Sequence, residues 1–380
     1  MEIKTLSDVC LINMGQSPDS ASYNDKKDGL AFYQGNADFG EIHPTTRVWC
    51  NNPIKIAEKD DILISVRAPI GSMNIANERC CIGRGLASIK PFDESVCDRN
   101  YLYHYLESKV PYMQSKGTGS TFKAINKGIL TNLQIKLPNI KEQHKISAII
   151  SKIKRQIHNK NTILKKYDEL VKSQFIEMFG DVEINDKNFK QDLLKNNVIK
   201  MHIGPFGSAL KTSFYVPKEE SACMVYEQKH AIQKTLELDN NFVGQDKYEE
   251  LKRFEVYPRD LIVSCRGTLG QVFTIPDHAP KGIIHPSLML IRLNFEKYNE
   301  TFFKNMLSKL LESDMGKGNC VKMGITAGEL GKKNVILPPI ELQNKFADFV
   351  KHIDKLKFTI KQSIEKLNLC YQSLMKEYFE

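Results

Sequence analysis

The sequence predicts an α+β protein: two tandem, similar, strand-rich domains, separated by two long helices that pair as an antiparallel coiled coil. Three observations carry this reading. The chain repeats itself at a displacement of 200 residues, each half contains short apolar runs bounded by turn formers, and each half ends in apolar residues at helical spacing. The boundaries that follow are a first domain over 1–139, a helix over 140–180, a second domain over 181–337 and a second helix over 338–380.

The repeat is clearest at the end of each half. Leu137-Pro-Asn-Ile-Lys-Glu-Gln143 matches Leu337-Pro-Pro-Ile-Glu-Leu-Gln343, and 128–179 shares 12 identities over 52 ungapped positions with 328–379. Upstream, Asp61-Ile-Leu-Ile-Ser-Val-Arg-Ala-Pro-Ile-Gly71 matches Asp260-Leu-Ile-Val-Ser-Cys-Arg-Gly-Thr-Leu-Gly270. Gly119-Ser-Thr-Phe-Lys123 aligns with Gly318-Asn-Cys-Val-Lys322, without the Ser-Thr pair. The order of features is the same in both halves, while the body of each half has diverged.

Within one half, Asp61 to Arg67 is an apolar run closed by a turn, as a buried strand requires. Cys80 to Lys90 and Leu133 to Leu137, with Ile283 to Arg292 and Val335 to Leu337 in the other half, read as further strands. Asn100 to Met113 and Thr301 to Leu311 carry helical spacing. After Pro138 and Pro338 the period becomes that of a long helix. In the second half Phe346, Phe349, Ile353, Leu356, Ile360, Leu367, Cys370 and Leu374 form a heptad seam interrupted at Ser363. The first half offers a less regular one through Ile146, Ile149, Ile150, Ile153, Ile157, Leu164, Tyr167 and Leu170. A lone helix of about 35 residues, roughly 50 Å long, cannot bury its own stripe, so the two stripes should pack on each other. If each helix caps the domain before it, the pair runs antiparallel.

Composition narrows the function classes. The net charge of +9 suits a polyanionic partner. No apolar run is long enough to span a membrane, and the first sixteen residues lack a secretion-signal pattern, so a cytoplasmic protein is expected. The nine cysteines include no Cys-x-x-Cys pair and no zinc-ligand spacing, which points to reduced thiols acting as small core residues. Catalytic patterns are missing. Gly117-Thr-Gly-Ser-Thr121 lacks the lysine of a phosphate loop, and no Gly-x-Ser-x-Gly or His-Glu-x-x-His occurs. Asn51-Asn-Pro-Ile54 lacks the second proline and the aromatic of an adenine-methyltransferase loop. His285, beside Pro286, reads more readily as structural than catalytic.

The duplicated Leu-Pro-x-Ile phrase followed by a long helix, with Gly119–Lys123 and the two matching strands, resembles the specificity subunits of type I restriction–modification enzymes. The resemblance covers essentially the whole chain. It implies two target-recognition domains, each reading one half of a split sequence in double-stranded DNA. It also implies two modification (methyltransferase) subunits as partners, with restriction subunits where the system has them. No cofactor is expected in this chain. S-adenosylmethionine would belong to the methyltransferase, ATP and Mg to a restriction subunit.

Candidate DNA contacts come from loops. Arg67 and Arg266 follow matching strands, and DNA contact or a structural ion pair fits them equally. Arg84, Lys123 and Lys322 lie beside glycine turns, where a solvated cation is the plainer account. Gln34 and Asn36 in Tyr33-Gln-Gly-Asn-Ala37, with Gln228 and His230 after Tyr226, could read adenine or simply be polar turn residues. Two other classes stay open at this point: a stand-alone DNA-modifying enzyme, and a coiled-coil scaffold that binds no DNA.

Overall fold

The structure, a computed structural model, describes residues 2–119, 123–316 and 324–380, without the side chains of 313–316. It divides into two compact units. One comprises Met1–Thr162 with Ile360–Glu380, the other Ile163–Thr359. Both are built alike, as the repeat demands.

In the first unit a four-stranded antiparallel sheet runs in the order Cys10–Met14, Leu86–Pro91, Ile62–Ser65, Met73–Ile75. A five-stranded sheet follows the order Tyr23–Asn24, Trp49–Cys50, Leu30–Tyr33, Cys80–Ile82, Ile56–Ala57, with one parallel pair at its centre. Glu2–Thr5 pairs with Gln134–Leu137. The second unit repeats each part. Val198–Ile203, Leu288–Leu293, Leu261–Ser264 and Val272–Thr274 form its four-stranded sheet. Tyr215–Val216, Asn241–Val243, Cys223–Tyr226, Gly282–Ile284 and Glu255–Val256 form its five-stranded one. Lys190–Leu193 pairs with Asn334–Leu337.

One expectation changes here. The apolar run from Cys80 to Lys90 is two strands in different sheets, Cys80–Ile82 and Leu86–Pro91, and Ile283 to Arg292 divides in the same way. In the first unit the crossing runs through Gly83 and Gly85, packed on the Gln34 backbone, and in the second through His285, Pro286 and Ser287. A Cβ on Gly85 would lie 2.3 Å from the Gln34 carbonyl oxygen.

The long helices span Ile140–Phe179 and Ile340–Phe379, and each gives a segment to both units. In the first unit Ile146 and Ile150 share a core with Met375 and Phe379, the latter ring 5.2 Å from Tyr101. In the second, Phe175 and Phe179 pack with Phe302 and Phe346. Phe175 faces Phe346 at 5.4 Å while Asp168 pairs with Lys357 at 2.5 Å, so the helix segments run antiparallel. Each helix thus packs at its start on the domain before it and ends in the core of the other unit. The seam departs from strict heptads near its end: Leu170 and Cys370 are exposed, and Val171 and Tyr371 turn inward instead. A straight helix gains on a seven-residue repeat, so a four-residue step restores the contact.

The repeated glutamines fix where each helix starts. Gln143 is fully buried. Its Oε1 accepts from the Asp98 N–H at 2.8 Å, and its Nε2 donates to the carbonyls of Val96 at 2.9 Å and Pro138 at 2.8 Å. Gln343 does the same with Asn299 N–H at 2.9 Å, Lys297 O at 3.0 Å and Pro338 O at 2.8 Å. Each buried amide satisfies three main-chain groups. Seven of the cysteines are buried core residues, and burial pushes the Cys223 thiol up to about 11.

Two outcomes follow for stability. Gln143→Leu leaves three main-chain groups without their partner, two of them in buried bonds, and should cost about 3 kcal/mol in urea unfolding, with Gln343→Leu close to it. Glu107, on the helix Arg99–Ser108, meets Lys154 at 2.7 Å, His104 at 3.4 Å and Tyr371. Burial opposes its charge, but these hydrogen bonds and the lysine outweigh it and hold the carboxyl at about 2. A depressed folded value means stability that is complete above the unfolded value of about 4.5 and drains away as pH falls toward 2. Wild type should therefore lose about 2–3 kcal/mol more than Glu107→Gln across that window, measured by unfolding at stepped pH. Parallel curves for the two proteins would contradict the assignment.

Candidate nucleic-acid interface

The matching strands Ile62–Ser65 and Leu261–Ser264 end in the same turn, and the turn is locked from below. Ser65 Oγ donates to the Pro69 carbonyl at 2.5 Å and accepts from the Ser72 N–H at 3.1 Å. Ser264 Oγ donates to the Thr268 carbonyl at 2.5 Å and accepts from the Gln271 N–H at 2.9 Å. Main-chain bonds pin the flanks: Val66 N to Gly85 O at 2.9 Å and Ala68 N to Lys123 O at 3.0 Å, with Cys265 N to Ser287 O at 2.9 Å on the second side. The buried acids Asp61 and Asp260 close the turn before each strand by accepting from Glu58 N at 3.0 Å and Tyr257 N at 2.8 Å. Arg292 clamps Asp260 with two 2.7 Å bonds.

Arg67 and Arg266 stand on these turns, exposed, and neither pairs with a carboxylate among the described residues. The structural ion pair that the sequence left open is not their arrangement. Each borders a cleft in its own unit.

The cleft of the first unit encloses about 430 Å³ and is lined by Tyr23, Phe32, Gln34, Asn36, Arg47 and Arg67, among others. Tyr23 and Phe32 stack at 4.7 Å. Asp38 shapes the loop: its carboxylate accepts from the Gln34 N–H at 2.8 Å and pairs with Arg47 at 2.5 Å. The side-chain amides of Gln34 and Asn36 have no partner among the described residues, so their donors and acceptors remain open to a ligand. Arg84 is exposed on the Gly83–Gly85 turn against the Gln34 backbone, and Lys123 is exposed beside Arg67. The five residues picked from the first half therefore gather at one end of that unit.

The second unit behaves differently. Gln228 spends its Nε2 on the carbonyls of Arg266 at 2.6 Å and Thr268 at 3.3 Å, so it holds the arginine turn in place. His230 is a correction: its exposure is 0%, and both ring nitrogens are engaged. Nδ1 accepts from the Glu227 N–H at 2.8 Å, so Nε2 carries the proton and donates to Asn240 Oδ1 at 2.7 Å. This is the work Asp38 does after Tyr33, and a buried ring with no free nitrogen cannot meet a base edge. His285 also serves the fold, joining Ser287 at 2.8 Å, and burial lowers its pKa. Lys322 lies outside the described residues.

The cleft beside Arg266 measures about 540 Å³ and includes Lys200, His202, Phe206 and Arg253 in its lining. Sequence reasoning missed these four. Arg253 lies over the Phe254 ring at 4.5 Å, and Lys200 Nζ donates to the Arg253 carbonyl at 2.7 Å. Burial lowers the His202 pKa, and its Nε2 is buried without a partner. The available signal was Gly204-Pro-Phe-Gly207, an aromatic framed by turn formers. Among the described residues three cations and no acid line this cleft, a distribution that attracts phosphate rather than metal.

Comparison with known proteins agrees with this architecture. The chain is 46% identical over 142 residues to a protein provisionally named the MjaX type I restriction enzyme specificity subunit, of Methanocaldococcus jannaschii. That match covers 37% of the chain and 33% of the relative. It is 30% identical over 185 residues to the MjaIX type I restriction enzyme specificity subunit of the same organism, covering 48% of the chain and 41% of the relative. The chain thus matches less than half the length of either. A crystal structure of a type I restriction–modification S subunit from M. genitalium superposes over 100% of the chain and 96% of its own, with a TM-score of 0.56. At 14% identity that likeness speaks for the fold alone. The type I restriction modification DNA specificity domain model matches residues 1–166 and 235–368, most of the sequence and both halves of the repeat, and the chain belongs to that family.

Proposed function

We propose that the chain is the DNA-reading subunit of a type I restriction–modification assembly and performs no chemistry itself. Each unit takes one half of a split sequence in double-stranded DNA. Two modification subunits dock on the chain and supply adenine methylation with S-adenosylmethionine, and a restriction subunit, where the system has one, supplies ATP- and Mg-dependent steps. One observation carries the reading: two equivalent domains each hold an exposed arginine, without a carboxylate partner among the described residues, on a turn beside a cleft. A single enzyme active site has no use for such duplication, whereas a bipartite target does.

The reader needs positioning and base contacts. Arg67, Lys123, Arg266 and Arg253 are suited to phosphate. Gln34 and Asn36, with unused amides, are suited to base edges, and an amide that donates and accepts in one plane matches adenine. Arg84 is suited to either.

DNA affinity should fall steeply with salt. Arg67→Ala and Arg266→Ala should each weaken binding about tenfold across sequences and reduce the salt slope by about one. The purified chain should methylate nothing alone, and with the modification subunit it should direct adenine methylation to a split site. Exchange of residues 1–137 for another head should alter one half of that site. Salt-independent binding, S-adenosylmethionine bound by this chain alone, or a change in both halves would overturn the reading.

A further inference from the structure

The two units differ at one turn that their shared fold makes equivalent. Gly15 N donates to Leu86 O at 2.9 Å, and Gly204 N donates to Leu288 O at 2.9 Å, so the residues that follow correspond one to one. Ser17 stands where Phe206 stands, and the same register sets Arg84 against Pro286. In the first unit the pair is polar, with the Arg84 N–H donating to Ser17 Oγ at 3.2 Å. In the second it is apolar.

Phe206 is 82% exposed, more than any other large apolar side chain among the described residues. Its loop is nonetheless well built. A Cβ on Gly204 would lie 2.3 Å from the His285 carbonyl oxygen, so the root of the loop packs directly on its neighbour. On the other side Ala209 N donates to Phe206 O at 2.8 Å, and Leu210 is buried. An ordered loop that holds a phenyl ring in water gains nothing for the fold. The ring borders the cleft of Lys200, Arg253 and Arg266, and His202 Nε2 lies there buried and unpartnered. Cations around an apolar projection fit a polyanion with an apolar interior, which is stacked DNA.

We infer that Phe206 is a wedge that enters a base step of the half-site read by the second unit and unstacks it, and that the first unit has no such wedge. This rests on the DNA-reading role proposed above. Apolar side chains inserted between base pairs recognise a step by how readily it opens, so the second half-site would be read partly through deformability.

The test uses the full chain and a synthetic duplex carrying its selected site, with 2-aminopurine placed at successive steps. Wild type should raise the fluorescence at one step of the second half-site and at no step of the first. Phe206→Ala should abolish that rise and weaken binding about 10- to 100-fold, while Phe206→Trp restores both. Ile199→Ala, 65% exposed but outside the cleft, should change neither. If wild type binds the duplex and Phe206→Ala retains the fluorescence rise or the full affinity, the wedge is wrong and the DNA-reading role stands. If wild type shows no salt-dependent binding to the duplex, both fall.

Discussion

Phe179 and Phe379 occupy the same place in the repeat, and each closes a core in the unit where its helix ends rather than where it starts. Phe179 sits 4.5 Å from Phe302 and 5.6 Å from Phe346, and Phe379 meets Tyr101 and Tyr105. An aromatic ring buried this way contributes about 2–3 kcal/mol. Without the returning helix, the first unit would expose the rings of Tyr101 and Tyr105 together with Ile146 and Ile150. The first unit is therefore not a contiguous stretch of sequence. It is completed by 360–380, after the whole of the second unit has been threaded, and contacts of such separation are costly to form and slow to find.

The glutamine clamps make this sharing definite. A helix whose start can slide by one turn would misplace every apolar residue along its seam. Gln143 and Gln343 tie the first turn to main chain at both its ends, through groups that belong to the loop before the domain helix and to the residue after the last strand. Register at the start then sets register some forty residues later, where the aromatic rings must fit.

Much of this was legible in the sequence, for identifiable reasons. The repeat at 200 residues, the strand runs and the helical spacing report on local structure and burial, which a sequence encodes directly. What was hidden depends on where remote parts meet. The Cys80–Lys90 run looked like one strand because both strands are apolar and only the glycines mark the crossing. His230 looked like a loop reader because histidine is polar. Its burial comes from Asn240 and the Glu227 main chain, ten and three residues away, closing on the ring. Gln143 stood out as a repeated letter, but its role needs three partners, two of them more than forty residues upstream. Gln34, Asn36 and Arg67 come together at one cleft because they sit on turns whose formers are adjacent in sequence.

The two units also show how one scaffold can carry different rims. The bonds that hold the Arg67 and Arg266 turns come from Ser65 and Ser264 below, from the Gln228 amide in the second unit, and from main chain at the sides. Those that hold the Ser17 and Phe206 turns come from a glycine N–H and a neighbouring strand. None of them uses the side chain at the tip, apart from the Ser17 hydroxyl. The Phe206 side chain takes no part in those bonds, so its identity can change with little effect on stability, because surface side chains without structural partners tolerate substitution. The strand ends supply fixed directions, and the exposed residues supply the chemistry at the rim. A fold with its hydrogen bonds kept below the rim leaves the rim free to differ between its two halves, as the proposed reading of two unlike half-sites would require.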